Sequence, residues 1–294
     1  MPTNLILIRC MEADARVVEM HQFLAKAVPE FQIIAVPDYL RKNASFDDKA
    51  FADAGITALP LTDEWIRSAQ LKKAELRPGW VCGDYAFYRS FGIEWDYAWV
   101  MEPDVYFLNG AEDVLSGLNQ VEHDLISTRT RKENQSWAWY EPLRALNLGL
   151  EVHAMGFPLV RISRRLAEHA YELRKDISLK LSETQVMPND ESVIASLAHS
   201  GDFSILDLLP WMQNTFKFWG TMTRYNVDDI AANETEKRIV HSGRRAAEFD
   251  KYLQDQLKEA KMGREVSSGR ILQCLEHASS GSRMRFIEAA LKSL

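Results

Sequence analysis

Two acids flanking a proline, Glu102-Pro103-Asp104, follow the apolar run Tyr97-Ala-Trp-Val-Met101. In extended chain, side chains at i and i+2 point to the same side, so the two carboxylates face one way. Pro103 favours an extended conformation at Glu102 and removes a backbone donor, which fits the end of a strand better than its middle. Two hard oxygen donors at the end of a buried strand suit Mg²⁺ or Mn²⁺, and such a cation can in turn hold a diphosphate. Acid-x-acid is a common triplet, so a surface turn with two solvated acids is the competing reading. The apolar run before the triplet and the strand signal Leu125-Ile-Ser127 after it favour a site.

The elements that must position these acids read as an α/β chain. Asn4–Cys10 and Phe31–Val36 are β-branched apolar runs. Between them, Asp14 can cap a helix to about Val28 that carries Val17, Val18, Met20, Phe23, Leu24 and Ala27 at helical spacing. A strand–helix–strand opening of this kind suits a parallel sheet. Weaker signals at 40–60 predict loop with short helix. Thr62 caps a further helix, and another runs from Asp84 to Phe91 before the strand ending at Met101. Strands are also expected at Asp124–Thr128, Phe157–Ser163, Phe203–Asp207 and Arg238–His241, and a helix opens at Pro188-Asn189. From Ala246 onward the pattern is helical, with breaks expected at Ser267–Gly269 and Ser279–Ser282. The expected organisation is one α/β domain over 1–245 and a helical appendage over 246–294.

Composition removes several classes of function. Lys and Arg number 35 against 42 Asp and Glu, a net charge of −7, which does not suit a general binder of nucleic-acid backbone. Three cysteines, Cys10, Cys82 and Cys274, are too few and scattered for a disulfide framework or a cysteine zinc site, which points to a reducing compartment. The apolar stretch Leu5–Ile8 ends at Arg9, far shorter than a signal-peptide core, and no run approaches the roughly 18 apolar residues of a membrane span. The expectation is a cytoplasmic protein, with peripheral docking at the inner face of the membrane left open. No Gly-x-Gly-x-x-Gly follows the first strand, and there is no phosphate loop, His-Glu-x-x-His or Gly-x-Ser-x-Gly.

With Met101-Glu-Pro-Asp-Val105 in place, the chain resembles the nucleotide-sugar glycosyltransferases of the GT-A fold, nearest to the glycogenin-like and lipopolysaccharide-galactosyltransferase pattern. The resemblance covers roughly residues 4–245, by order of motifs. It implies a Rossmann-like, mixed but mainly parallel sheet flanked by helices. It also implies a central strand that ends in an acid pair binding Mn²⁺ or Mg²⁺ and the donor diphosphate. Glu102 stands where the family has Asp, which keeps the charge and lengthens the arm. A strand near the C-terminus delivers a histidine to the metal in that group. His241 of Arg238-Ile-Val-His-Ser-Gly-Arg-Arg245 is the matching position, with Arg244 or Arg245 for phosphate. The glycine falls two residues after the histidine instead of three, and no Lys-Pro-Trp follows.

The resemblance extends to other segments. Trp80-Val-Cys-Gly-Asp-Tyr-Ala-Phe-Tyr-Arg89 matches a helix that packs beside the donor. It makes Asp84 an acceptor for donor hydroxyls or simply an N-cap, and Arg89 a phosphate partner or a solvent-facing side chain. Val186–Val193 matches the acidic helix start on the acceptor side. There Asp190 or Glu191 contacts sugar hydroxyls or serves as the general base of an inverting enzyme, although acids in a first helical turn are also favoured by the dipole alone. The base and ribose point to Arg9 through Glu12 and to Asp38, the last also a plain turn residue.

The implied function is transfer of a sugar from a nucleoside-diphosphate sugar, UDP-linked by preference, to a hydroxyl of a carbohydrate or glycolipid acceptor in bacterial polysaccharide or glycan synthesis. A carbohydrate- or nucleotide-binding protein without turnover is the alternative. Eight tryptophans favour sugar stacking, and two clusters are candidates: Trp137, Trp139 and Tyr140, and Trp211 with Phe216, Phe218 and Trp219. The second reads equally as a satellite core. The helical tail carries enough apolar positions to dock on the domain or on a second copy as a homo-oligomer.

Overall fold

The structure is a computed structural model and describes residues 3–40, 47–75, 77–220 and 224–292. Positions 41–46 of the expected loop region lie outside the described residues. The strands are β1 (Asn4–Cys10), β2 (Gln32–Pro37), β3 (Tyr97–Met101), β4 (Val105–Leu108), β5 (Leu125–Lys132), β6 (His153–Ser163), β7 (Ile205–Asp207), β8 (Tyr225–Asn226), β9 (Arg238–His241) and β10 (Gly243–Arg244). Contacts divide the chain into two units, Met1–Pro103 with Val114–Trp211, and Asp104–Asp113 with Met212–Leu294.

The first unit is built on a six-stranded sheet in the order β2-β1-β3-β6-β5-β7. β1 pairs in parallel with β2 and β3, β5 pairs in parallel with β7, and β6 runs antiparallel to β3 and β5. This is the expected α/β class, a mixed and mainly parallel sheet flanked by helices. Leu5 to Ile8 and Ala98 to Met101 are buried on both faces, as continuous apolar runs in parallel strands should be. Asp14 caps the helix Ala15–Ala27 through the Val17 amide at 3.0 Å, and Thr62 caps the helix Asp63–Ser68 through Trp65. The helix expected over Asp84–Phe91 is present as Tyr85–Arg89, and a short helix not expected, Pro78–Val81, precedes it. In β6 a buried Arg161 stacks on Tyr97 and donates to the carbonyls of Leu118 and His123; burial lowers its pKa to about 10. The periodicity alone does not announce a cation in that central position.

The second unit joins β4 to β9 as an antiparallel ladder, with Val105 opposite His241, and β10 to β8 in parallel. The expected boundary at 245/246 therefore falls inside this unit, because strand pairing ties the stretch after Pro103 to the C-terminal chain. The helical appendage is present as helices Ala246–Lys261, Glu265–Glu276 and Ser280–Lys292. The break expected at Ser267–Gly269 is helical, and the chain turns instead at Gly263, at φ +84°; the break expected at Ser279–Ser282 falls slightly earlier, at 277–279. Phe216, Phe218 and Trp219 are buried, the satellite core of this unit, whereas Trp211 is exposed. Among the described residues no helix is long and apolar enough to cross a membrane.

Candidate active site

In the first unit the site is organised around Arg9, at the C-terminal end of β1. Its Nη2 pairs with Glu102 Oε1 and its Nη1 with Asp190 Oδ2 at 3.1 Å, while its guanidinium lies over the Phe157 ring. Parallel pairing places Ile8 beside Met101, so β1 and β3 end together and Arg9 and Glu102 meet. Asp190 arrives from the helix Asp190–Ser200, whose N-cap Asn189 accepts from the Ser192 amide at 3.0 Å. The same Asp190 Oδ2 accepts from the Gly83 amide at 3.1 Å, and Oδ1 from the Glu191 amide at 2.8 Å. Gly83 has room for no side chain: a Cβ there would stand closer than 3.0 Å to both Arg9 Nη1 and Asp190 Oδ2.

Burial opposes the Arg9 charge, but Glu102 and Asp190 outweigh it and raise its pKa. Burial pushes the Asp190 carboxyl up; Arg9 pulls the other way, and Glu191 and Asp84 add to the push. The Glu191 carboxyl is pushed up to about 7, chiefly by burial and in part by Glu102, against hydrogen bonds from Asn189 and the Phe157 amide. Asp190 is thus committed to holding Arg9, and Glu191 is the carboxyl poised to exchange a proton near neutrality.

Asp84 belongs to a separate buried cluster. Its two oxygens accept from Arg174 Nε at 2.6 Å and Nη2 at 2.8 Å, and from the Tyr88 hydroxyl at 2.8 Å, with Asp84 and Arg174 fully buried. It makes no side-chain cap. Neither expected role, donor-hydroxyl acceptor nor N-cap, is left to it, because a bidentate arginine takes the carboxylate. Arg174 also donates to Pro188 O at 2.8 Å and so braces the turn that presents Asp190. Arg89 donates from Nε to Pro60 O at 3.1 Å and lies over Trp65, joining neither a solvent face nor the Arg9 network. Asp38 is buried at the end of β2 and accepts from the Leu40 amide at 2.9 Å, the turn expected of it.

In the second unit the β4–β9 ladder brings His241 and Asp104 together, His241 Nε2 standing 3.9 Å from Asp104 Oδ1. That is too long for a hydrogen bond. It is a span two ligands of one octahedral cation can bridge, since bonds of about 2.1 Å put neighbouring ligands roughly 3 Å and opposite ones roughly 4 Å apart. His241 is buried under Trp219, ring centroids 5.0 Å apart, and its amide donates to Phe218 O. Gly243 N donates to Asp104 O at 3.0 Å, which closes the chain around the pair. Arg245 pairs with Asp228 at 2.7 Å, and Arg244 stacks over Tyr252. Sequence reading did not single out Gly83 or Arg174, and it took Trp219 for a stacking or core aromatic, not for the cover of His241. Only Gly83 left a signal, as the glycine before Asp84.

No protein-family model matches the sequence, and no curated protein matches it. Among solved structures the chain is similar to glucosyl-3-phosphoglycerate synthase from Mycobacterium tuberculosis in complex with Mn²⁺, UDP and phosphoglyceric acid. That likeness is 12% identical, covers 56% of this chain and 57% of the other, and has a TM-score of 0.35. A glycosyltransferase involved in glycosylation of the major capsid of PBCV-1 is 12% identical over 84% of this chain and 98% of its own, at TM-score 0.37. The inositol-1-phosphate CTP transferase of T. maritima is 9% identical over 70% and 86%, at TM-score 0.39.

Proposed function

We propose that this chain is a metal-dependent glycosyltransferase of the GT-A type, moving a sugar from a nucleoside-diphosphate sugar to a hydroxyl of a carbohydrate or glycolipid acceptor. The observation that carries this reading is the delivery of His241 to Asp104 by strand pairing, with Glu102 two residues earlier in the chain. The carboxylate of Asp104 and the imidazole of His241 form a donor pair suited to Mn²⁺, and to Mg²⁺ if water replaces the imidazole. When bound, such a cation supplies positive charge that offsets the charge developing on a departing diphosphate. UDP is the donor nucleotide we expect.

The chain's own residues do the rest. Arg244 and Arg245 neutralise phosphate, Arg245 exchanging its Asp228 partner for it. Asp190 fixes Arg9, and Arg9 fixes Glu102. Glu191 takes the proton of the acceptor hydroxyl as its oxygen bonds to the anomeric carbon and the anomeric carbon–diphosphate bond breaks. This is the course of an inverting enzyme.

The test is a thermal-shift titration with UDP, with and without Mn²⁺, together with hydrolysis of UDP-sugars. Ligand bound only to the native state raises the midpoint in a concentration-dependent way. Wild type should respond to UDP only with Mn²⁺ present; Asp104→Asn should lose the response while keeping its ligand-free midpoint, and His241→Ala should lose it with a lowered midpoint, since it empties a buried site. An Asp104→Asn protein with an undiminished Mn²⁺-dependent response would refute the assignment.

A further inference from the structure

Trp80 is 50% exposed, and its ring meets that of Trp139 edge-on, centroids 5.4 Å apart and planes at 63°. The Arg77 guanidinium lies over Trp80 at 6.0 Å. Two separate stretches of chain bring this pair toward the helix that starts at Asp190. Trp80 sits three residues before Gly83, whose amide holds Asp190. Trp139 is the N-cap of the helix Tyr140–Arg144, which packs on the helix Asp190–Ser200.

We propose that Trp80 and Trp139 form a stacking platform for a pyranose ring of the acceptor, an inference that rests on the glycosyltransferase reading. A pyranose offers an apolar C–H face and a rim of hydroxyls. The exposed indole suits the first, since tryptophan combines a large apolar face with a polar handle. Arg77, over the Trp80 ring, offers donors to the second. Among the exposed residues that flank the two rings in sequence, Glu75, Arg77, Asn134, Gln135 and Ser136 are polar, and Ala138 is small and apolar. A lipid surface or an apolar protein face needs a contiguous apolar patch of hundreds of Å², which the mostly polar described residues around the two rings do not supply.

The experiment is saturation-transfer NMR on the full chain with methyl β-D-galactopyranoside and methyl α-D-glucopyranoside as probes. Wild type should transfer saturation to the ring C–H protons of at least one of them. Trp80→Ala should lose that transfer at least fivefold, Trp80→Phe should keep part of it, and Leu179→Ala, at an 83% exposed position, should leave it unchanged. Trp80 is largely solvent-facing, so its truncation does not put the fold at risk, which truncation of half-buried Trp139 would. Three results would overturn the proposal: no transfer to either probe in wild type, equal transfer in Trp80→Ala, or a wild-type dimer in sedimentation that Trp80→Ala dissociates. The UDP–Mn²⁺ titration on the same samples reads the donor side separately. Sugar contact without a nucleotide response would overturn the transferase reading and the acceptor label, and not the contact.

Discussion

Replacing Gly83 by alanine tests whether the Arg9–Asp190 arrangement is as tightly built as its geometry implies. The new Cβ would stand closer than 3.0 Å to Arg9 Nη1, Arg9 Cζ and Asp190 Oδ2, so one of the two charged groups must move. Neither has an easy way out. Arg9 is anchored at its other nitrogen by Glu102, and Asp190 is buried on the first turn of a helix. Forcing an extra carbon into a packed site costs about 1–3 kcal/mol, and losing one charge-assisted hydrogen bond costs about 1.5–3 kcal/mol. The terms overlap because relieving the clash is what breaks the bond. Against them stands a gain of about 0.4–1 kcal/mol from stiffening the unfolded chain, since Gly83 is not in the left-handed region. The expected net loss is about 2–3 kcal/mol, measured as the urea midpoint followed by circular dichroism. Gly92→Ala, with nothing within 4 Å of its Cβ, is the matched control and should change little. Placed in an Arg9→Met background, Gly83→Ala should cost at least about 1 kcal/mol less, the coupling expected of groups in contact. A Gly83→Ala protein within about 0.5 kcal/mol of wild type, the scale of a neutral surface change, would mean that the cluster is loosely held and cannot position Glu102.

Asp84→Ala leaves Arg174 as an uncompensated buried cation and should cost about 3–5 kcal/mol by chemical denaturation, whereas Asp84→Ala with Arg174→Met should cost clearly less; a double variant costing as much as the two single variants together would show that the pair is not coupled. The pH dependence of the metal-free protein should carry the signature of Glu191. Its folded pKa of about 7 lies above the unfolded value of 4.5, so the folded state holds the extra proton, and stability should fall as pH rises from about 4.5 through 7. Glu191→Gln should flatten that slope in thermal melts across pH; a slope unchanged by the substitution would place the titration elsewhere.

The strands were legible because their apolar runs are long and uninterrupted, and the caps at Asp14, Thr62 and Asn189 because a side chain speaks for itself locally. What escaped depends on pairing across long stretches of chain. Nothing local to Asp84 announces Arg174, 90 residues away, and nothing at Pro103 announces that the next strand pairs with Arg238–His241. The C-terminal breaks show the same limit. Ser267-Ser-Gly269 reads as a turn, yet a glycine in a helix costs only about 1 kcal/mol, and burial of Ile271 and Cys274 on that helix outweighs it. Gly263 at φ +84°, its amide on Ala260 O, is the turn that packing leaves in place.

The four acids of the first unit's candidate site looked interchangeable in sequence, and their surroundings separate them. Asp84 is sealed by Arg174 and Tyr88, so no ligand reaches it. Asp190 is buried with three donors on its two oxygens, so both oxygens are taken up in holding Arg9 and the turns at Gly83 and Glu191. Glu102 keeps a side-chain exposure of 22% and pairs with Arg9, which orients it without enclosing it. Glu191 is only partly buried, and its proton is loosely held near pH 7. Only the last two can meet something from outside. One is fixed in direction and suited to a cation, and the other is free in protonation and suited to a hydroxyl. That division follows from burial and the partners named, and both roles are ones the proposed inverting transfer would use.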